Sequence, residues 1–382
     1  MKKLFVLLFV GITSIAYCQT KGIESTNQNP FRQLGQDLPT PNEYRTASGA
    51  PGHKYWQQQV DYKMKITLDD NEQKVYGEEL ITYHNNSPDQ LDYLWLQLDQ
   101  NRRALTSETY LTQRNSVRDE MSIDAIQRFT PDFDGGFKLD YVQYGNGQNA
   151  HYMINATMIR VDLQKPLKPG EKTQLKIKWW YNINNRMEIG GRSGYEYFEE
   201  DDNYLYTIAQ FFPRLCVYND LEGWQNKQFL GRGEFTLEFG DYEVDITVPA
   251  DHLVAATGEL QNMSSVLTAE QQKRYKLAEK SFDQPVIIAN QAEAVAREGQ
   301  RSDKTKTWKF KAERVRDFAF ASSRKFIWDA MAVKLADHNT MAMSMYPKEG
   351  NPLWEKYSTK AVAHTIKWYS HYTFDYPYPV AW

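Results

Sequence analysis

Strict alternation of apolar and polar residues constrains this chain more than any other feature. Val60, Tyr62, Met64, Ile66 and Leu68 alternate with polar neighbours, the period of a strand with one buried face. Asp69-Asp70-Asn71 makes a turn, and a second alternating run carries Gly77, Glu79, Ile81 and Tyr83. Asn85-Asn86-Ser87-Pro88 closes it, because such side chains bond their own backbone and Pro fixes φ. Residues 91–98 form a third, more apolar strand. Strands resume at 152–163, and the Lys168-Pro169-Gly170-Glu171 turn leads into Leu175, Ile177, Trp179 and Tyr181 at period two. Further strands fit 234–239, 242–248 and 253–256, whereas 99–150 holds a short helix and a Gly-rich segment near Gly135-Gly136. The pattern predicts a long antiparallel β domain without internal repeats. An aromatic content of 14%, with 25 Tyr and 10 Trp, suits pleated, half-buried surfaces.

The first residues predict export. Lys2 and Lys3 precede the apolar run 4–10, which fades at Gly11, Thr13 and Ser14 and is too short for a stop-transfer helix. Ala16-Tyr17-Cys18 gives small residues at the spacing of a cleavage site, so 1–18 read as a signal peptide with Gln19 as mature start. Lipidation of Cys18 fits less well, since bulky Tyr17 precedes it. No later run is long and apolar enough to suggest a second membrane segment. Residues 19–54 are a polar, Pro-punctuated lead-in. A net charge of −4 with both signs interspersed argues against a nucleic-acid partner. With Cys18 removed, Cys216 has no intramolecular partner and reads as a small buried hydrophobe.

Near residue 310 the texture changes. Residues 315–323 read as a short helix, and 326–335 and 340–346 as strands. Asn351-Pro352 starts a helix that keeps Leu353, Tyr357, Val362, Ile366 and Tyr369 near one face and runs to about Phe374. The chain stops on the apolar run 376–382, so a domain is expected to have begun without being completed.

Chemistry-bearing motifs are sparse. The seven histidines (53, 84, 151, 252, 338, 364 and 371) include no H-E-x-x-H pair, whose spacing sets two imidazoles on one helical face. His364 and His371 lie about 10.5 Å apart along a helix axis, too far to share zinc. The run Glu199-Glu200-Asp201-Asp202 lacks the alternating ligands of a calcium loop and reads as a solvated hairpin tip. No G-x-S-x-G occurs, and a lone Cys216 is not a nucleophile signature.

Five segments in order carry a resemblance. They are Val75-Tyr76-Gly77-Glu78 before Leu80-Ile81; residues 163–171 around Lys168-Pro169-Gly170-Glu171; Gln210-Phe211-Phe212-Pro213-Arg214 with Asp220, Glu222-Gly223-Trp224 and Gly233-Glu234-Phe235; Arg316-Asp317-Phe318-Ala319-Phe320 with Ser323; and Tyr376-Pro377-Tyr378-Pro379. Tyr242-Glu243-Val244 and Thr257-Gly258 follow the third in the places of a Tyr-x-Val strand and a Thr-Gly turn. Together they resemble the aminopeptidase N family of zinc metallopeptidases, including its leukotriene-hydrolysing members, in a bacterial branch. The common F-P-C-x-D-E-P form is absent. The resemblance implies a mainly β fold: a saddle-shaped, antiparallel β-sandwich-like N-terminal domain over 55–312, followed by the α+β beginning of a truncated thermolysin-like catalytic domain over 313–382. It implies an exported, periplasmic or extracellular enzyme that uses zinc to cleave N-terminal residues from peptide substrates. Its metal-binding and catalytic motifs would lie beyond Trp382, so this chain is expected to bind no zinc and to be inactive. Gln210 is the candidate substrate-binding residue, against the plainer reading of an ordinary strand glutamine. A non-catalytic secreted β-rich module binding peptide or glycan through aromatic faces is the alternative.

Overall fold

The computed structural model describes residues 41–109, 119–123, 126, 132–231, 233 and 235–382. The expected signal peptide, Cys18, Glu234 and most of the lead-in lie outside them. Contacts divide the chain after Tyr55. Among residues 41–55, the Asn42 side chain accepts from the backbone N–H groups of Tyr44 and Arg45, and Lys54 pairs with Glu43 at 2.7 Å.

From Trp56 onward the fold is mainly β. Its strands are β1 (Gln59–Asp69), β2 (Lys74–His84), β3 (Leu91–Gln97), β4 (Lys138–Tyr144), β5 (Tyr152–Asn155), β6 (Met158–Leu167), β7 (Lys172–Asn182), β8 (Gly194–Phe198), β9 (Asn203–Ile208), β10 (Arg214–Leu215), β11 (Tyr218–Asn219) and β12 (Gly223–Trp224). They continue as β13 (Gly240–Pro249), β14 (Leu253–Ala256), β15 (Glu259–Leu260), β16 (Val286–Ala289), β17 (Thr305–Val315), β18 (Phe320–Ser323), β19 (Ile327–Lys334), β20 (Asn339–Tyr346) and β21 (Val380–Ala381). The helices are α1 (Arg186–Ile189), α2 (Met263–Val266), α3 (Ala269–Ala278), α4 (Gln291–Glu298) and α5 (Leu353–Tyr372).

The largest sheet has seven strands in the order β15-β17-β13-β1-β2-β7-β4. The alternating runs read from sequence form its centre: β1 pairs with β2 from Gln59↔His84 to Asp69↔Lys74, and Val60, Tyr62, Met64, Ile66 and Leu68 are all buried. One pairing departs from the antiparallel expectation. β1 and β13 run parallel; residues 70–239 between them supply β2, β4 and β7 of this sheet and strands of other sheets before β13 returns. Gly77 sits opposite Trp179, and a Cβ there would lie 2.2 Å from the indole. The Val-Tyr-Gly segment therefore marks a packing position. Three four-stranded sheets, β10-β3-β6-β5, β14-β18-β9-β8 and β16-β19-β20-β21, complete the architecture with the small β11-β12 pair.

Several expectations are corrected. Residues 320–323 form a strand, not part of a helix: β18 lies between β14 and β9. Phe320, Ser322 and Ser323 are all buried, and tertiary pairing overrides the helix propensity of Ala321. The strand expected over 234–239 does not form among its described residues: 235–238 have no regular structure and Phe239 only bridges Gln59, ahead of β13. On α5 the buried positions are Thr359 and Ile366, whereas Leu353 and Tyr357 are exposed. Thr359 Oγ1 donates to the buried Asp329 carboxylate, which turns the helix to a polar anchor that apolar periodicity cannot reveal. The expected boundary between residues 312 and 313 falls within β17.

Candidate functional site

A cleft of about 1400 Å³ opens where four of these elements end. Its walls are the end of β9 with Ala209, the end of β14 with Thr257-Gly258, residues 311–316 of and after β17, Ala319–Ala321 around β18, and residues 376–382. Gln57, Arg192, Phe239 and Glu259 complete the lining.

A bulge shapes one wall. The β13–β17 register runs to Tyr242↔Ala312 and then jumps to Gly240↔Val315, leaving Glu313 and Arg314 opposite Asp241. A Cβ on Gly240 would collide with the Val60 carbonyl oxygen at 1.6 Å, so only glycine allows β13 to start this close to β1. Arg314 adopts φ 50°. Its N–H donates to Asp241 Oδ1 at 2.9 Å, and its carbonyl accepts from the Tyr378 hydroxyl at 2.9 Å. The neighbouring charges are engaged: Lys311 pairs with Glu313 at 2.7 Å, and the Arg316 guanidinium lies 4.3 Å over the Phe239 ring. The Lys311 ammonium holds the Glu313 carboxyl below its ordinary range.

Beneath the cleft, Arg214 donates to Asp99 Oδ2 at 2.8 Å and to Asp317 Oδ2 at 2.6 Å. Phe211 packs edge-on against Phe320, and Phe212 against Tyr62. Most of segment 210–214 thus builds core. Gln210 follows cleft-lining Ala209, has φ 53°, and is half-buried. Its carbonyl accepts from Gln100 Nε2 at 2.9 Å, while its own amide makes no hydrogen bond to a described residue. The left-handed backbone shows that Gln210 ends the strand instead of continuing it.

The residues do not fit a catalytic zinc. His84 bonds Asp61, His151 bonds Asp162, and His338 bonds Asp337 and the Tyr376 carbonyl. His364 and His371 flank Trp368 on α5. Among the described residues, the group spaced to hold an ion is Asp201, Glu298 and Glu349, three carboxylates without an imidazole. Its centre is taken by ammonium groups. Lys325 Nζ contacts Asp201, Glu298 at 3.0 Å and Glu349 at 2.9 Å, and Lys348 Nζ contacts Asp201 at 2.9 Å and Glu298. The acidic run 199–202 is a hairpin tip between β8 and β9, as its composition suggests, but Asp201 turns inward to this cluster.

A second polar cluster escaped sequence reasoning. Ser322 Oγ lies 2.9 Å from His252 Nδ1, and His252 Nε2 lies 3.8 Å from Asp70 Oδ2. The order suggests a nucleophile, a base and an acid, yet all three are buried. Asp70 is already committed to Arg324 at 2.7 Å and to the Tyr206 hydroxyl at 2.8 Å. Burial pushes His252 down to about 4, only partly offset by Asp70. These groups tie β9, β14 and β18 together and have no access for a substrate. Cys216 is likewise fully buried, and burial raises its thiol.

No family model matches this sequence, and no curated protein does. Solved structures do resemble the fold. An M1 zinc metallopeptidase from Deinococcus radiodurans shares 15% identity at a TM-score of 0.47, covering 86% of this chain and 56% of that one. A glutamate-to-alanine mutant of it gives 15% identity and 0.48 over 87% and 57%. The mutant bound to a Tyr-Ser-Ala substrate gives 15% and 0.46 over 85% and 55%. This chain therefore spans a little over half the length of those structures.

Proposed function

We propose that this chain is the N-terminal portion of an exported zinc aminopeptidase of the aminopeptidase N type, which removes N-terminal residues from peptides. Convergence carries the reading. Segments resembling that family at 210–214, 316–323 and 376–379 are far apart in sequence, yet Arg214 bonds Asp317, Tyr378 bonds Arg314 two residues before the second segment, and Arg316, Phe320 and Tyr378 border one cleft with Ala209, the residue before the first segment. In this reading 1–18 are a signal peptide directing the protein to the periplasm or beyond. Residues 19–54 are a lead-in, 55–312 the N-terminal β domain and 313–382 the start of the catalytic domain. Gln210 contacts the substrate, because an amide oxygen accepts from a peptide's ammonium group without adding charge. Zinc in such an enzyme would be held by residues outside these 382, since the histidines here are dispersed and engaged. The test is to sequence the gene past codon 382 and to assay the protein encoded by the whole open frame on aminoacyl nitroanilides. An H-E-x-x-H motif within about a hundred residues and chelator-sensitive release of nitroaniline support the reading; a stop codon at 383 would sink it. The aromatic walls of the cleft would then favour a non-catalytic module for peptide or glycan.

A further inference from the structure

The charge of the cleft runs against the charge of the chain. The protein as a whole is −4, whereas the cleft is lined by four cationic side chains, Arg192, Lys311, Arg314 and Arg316, against two carboxylates, Glu259 and Glu313. Lys311 and Glu313 neutralise each other, and Arg316 is laid over Phe239. Arg314 differs from both. It is exposed, and its guanidinium has no hydrogen-bond or ion-pair partner among the described residues beyond the field of adjacent Glu313. Its backbone, by contrast, is held on both sides by Asp241 and Tyr378 in a left-handed conformation at a bulge. Bulges re-aim side chains, and a non-glycine residue kept at positive φ is a sparsely populated state that neighbours must maintain. Here they maintain a presented, unpaired cation beside the tyrosines at 376 and 378.

We propose that this cleft binds an extended acidic peptide, with Arg314 forming a forked pair to one of its carboxylates and Tyr376 and Tyr378 packing against the adjoining residue. The volume exceeds the 300–1000 Å³ of ordinary small-ligand pockets, which favours a chain segment over a metabolite. That the occupant is a peptide rests on the reading given under the proposed function; the anion contact does not. Guanidinium–carboxylate forks are stronger and more selective than lysine contacts, so the site distinguishes a carboxylate from its amide.

The test is fluorescence anisotropy with the purified chain and a labelled ten-residue peptide containing three Glu and one Tyr, beside the same peptide with Gln for each Glu. The Glu peptide should bind at least about tenfold more tightly than its Gln counterpart and weaken as salt rises. Arg314→Gly, which suits the φ of that position and leaves the bulge intact, should lose about tenfold for the Glu peptide only, and Arg314→Lys should recover part of it. Equal binding of the two peptides, or Arg314→Gly binding like the parent with unchanged melting, overturns the anion contact. If inorganic tripolyphosphate displaces the peptide at matched charge concentration, the peptide identity is overturned while the anion contact stands. Hydrolysis of nitroanilides by the longer protein is scored separately, so failure of the peptidase reading shows there and not in this titration.

Discussion

Two buried groups should impose opposite pH dependences on stability, each hiding the other. Glu238 is buried, and burial lifts its carboxyl from 4.5 to about 7 despite the Tyr218 N–H and nearby Arg316. The folded protein therefore favours the protonated acid, and stability falls as pH rises from about 4.5 through about 7. At about 1.4 kcal/mol per tenfold change in proton affinity, this amounts to about 3 kcal/mol. His252 acts in reverse. Burial lowers it from 6.5 to about 4, so the folded protein favours the neutral ring, and stability falls by about 3 kcal/mol as pH drops from 6.5 through about 4. Over the shared window the slopes nearly cancel. Glu238→Gln keeps an acceptor for the Tyr218 N–H but cannot ionise. Urea unfolding of this variant and the parent should give a difference in free energy that climbs by about 3 kcal/mol from pH 4.5 to 7 and is level above. His252→Asn should give a difference that grows in its favour below pH 6.5. A flat difference curve for Glu238→Gln would refute the assignment of a buried, protonated Glu238.

Other perturbations follow from the packing. Gly77→Ala forces a methyl to within 2.2 Å of the Trp179 ring, so it should lower stability by about 1–3 kcal/mol or more in urea melts. Arg324→Ala leaves buried Asp70 and half-buried Asp251 without their cation, and calorimetry should find a loss of about 3–5 kcal/mol. Glu79 is buried with neither carboxyl oxygen hydrogen-bonded to a described residue, and burial raises it well above its ordinary range; Glu79→Leu should raise the unfolding free energy at neutral pH by about 1–3 kcal/mol in urea titrations. If the proposed longer reading frame is found and its product is active, Gln210→Ala in it should raise KM or lower kcat for aminoacyl nitroanilides, and unchanged kinetics would remove Gln210 from the site.

The central sheet was legible because its strands bury one face, and a period of two survives in Val60–Leu68 and Leu175–Tyr181. The helices α3 and α4 were missed although each announces its start. Thr268 with Gln271 and Asn290 with Glu293 form capping boxes, a signal spaced three residues apart that apolar periodicity overlooks. The strand at 320–323 was unreadable from its own residues, since its conformation comes from Leu253–Ala256 and Asn203–Ile208. Beside the cleft, the Gln210 segment stood out as a motif, whereas cleft-lining Arg314 carried no sequence signal. Its presentation depends on a bulge set by Gly240, 74 positions earlier.

The position of β18 between β14 and β9 has a kinetic consequence. During synthesis the hairpin β8–β9 appears early but has no sheet neighbour until residues 320–323 emerge, and a lone hairpin is marginal in water. The central sheet waits likewise, because β13 and β17 are supplied from residues 240–249 and 305–315. Such distant pairings place the loop-closure cost before its return and slow folding. The nascent chain should therefore stay open, and accessible to chaperones, until residues up to about 323 have emerged. Pulse proteolysis of stalled chains ending before and after residue 323 would show protection arriving abruptly at the longer length.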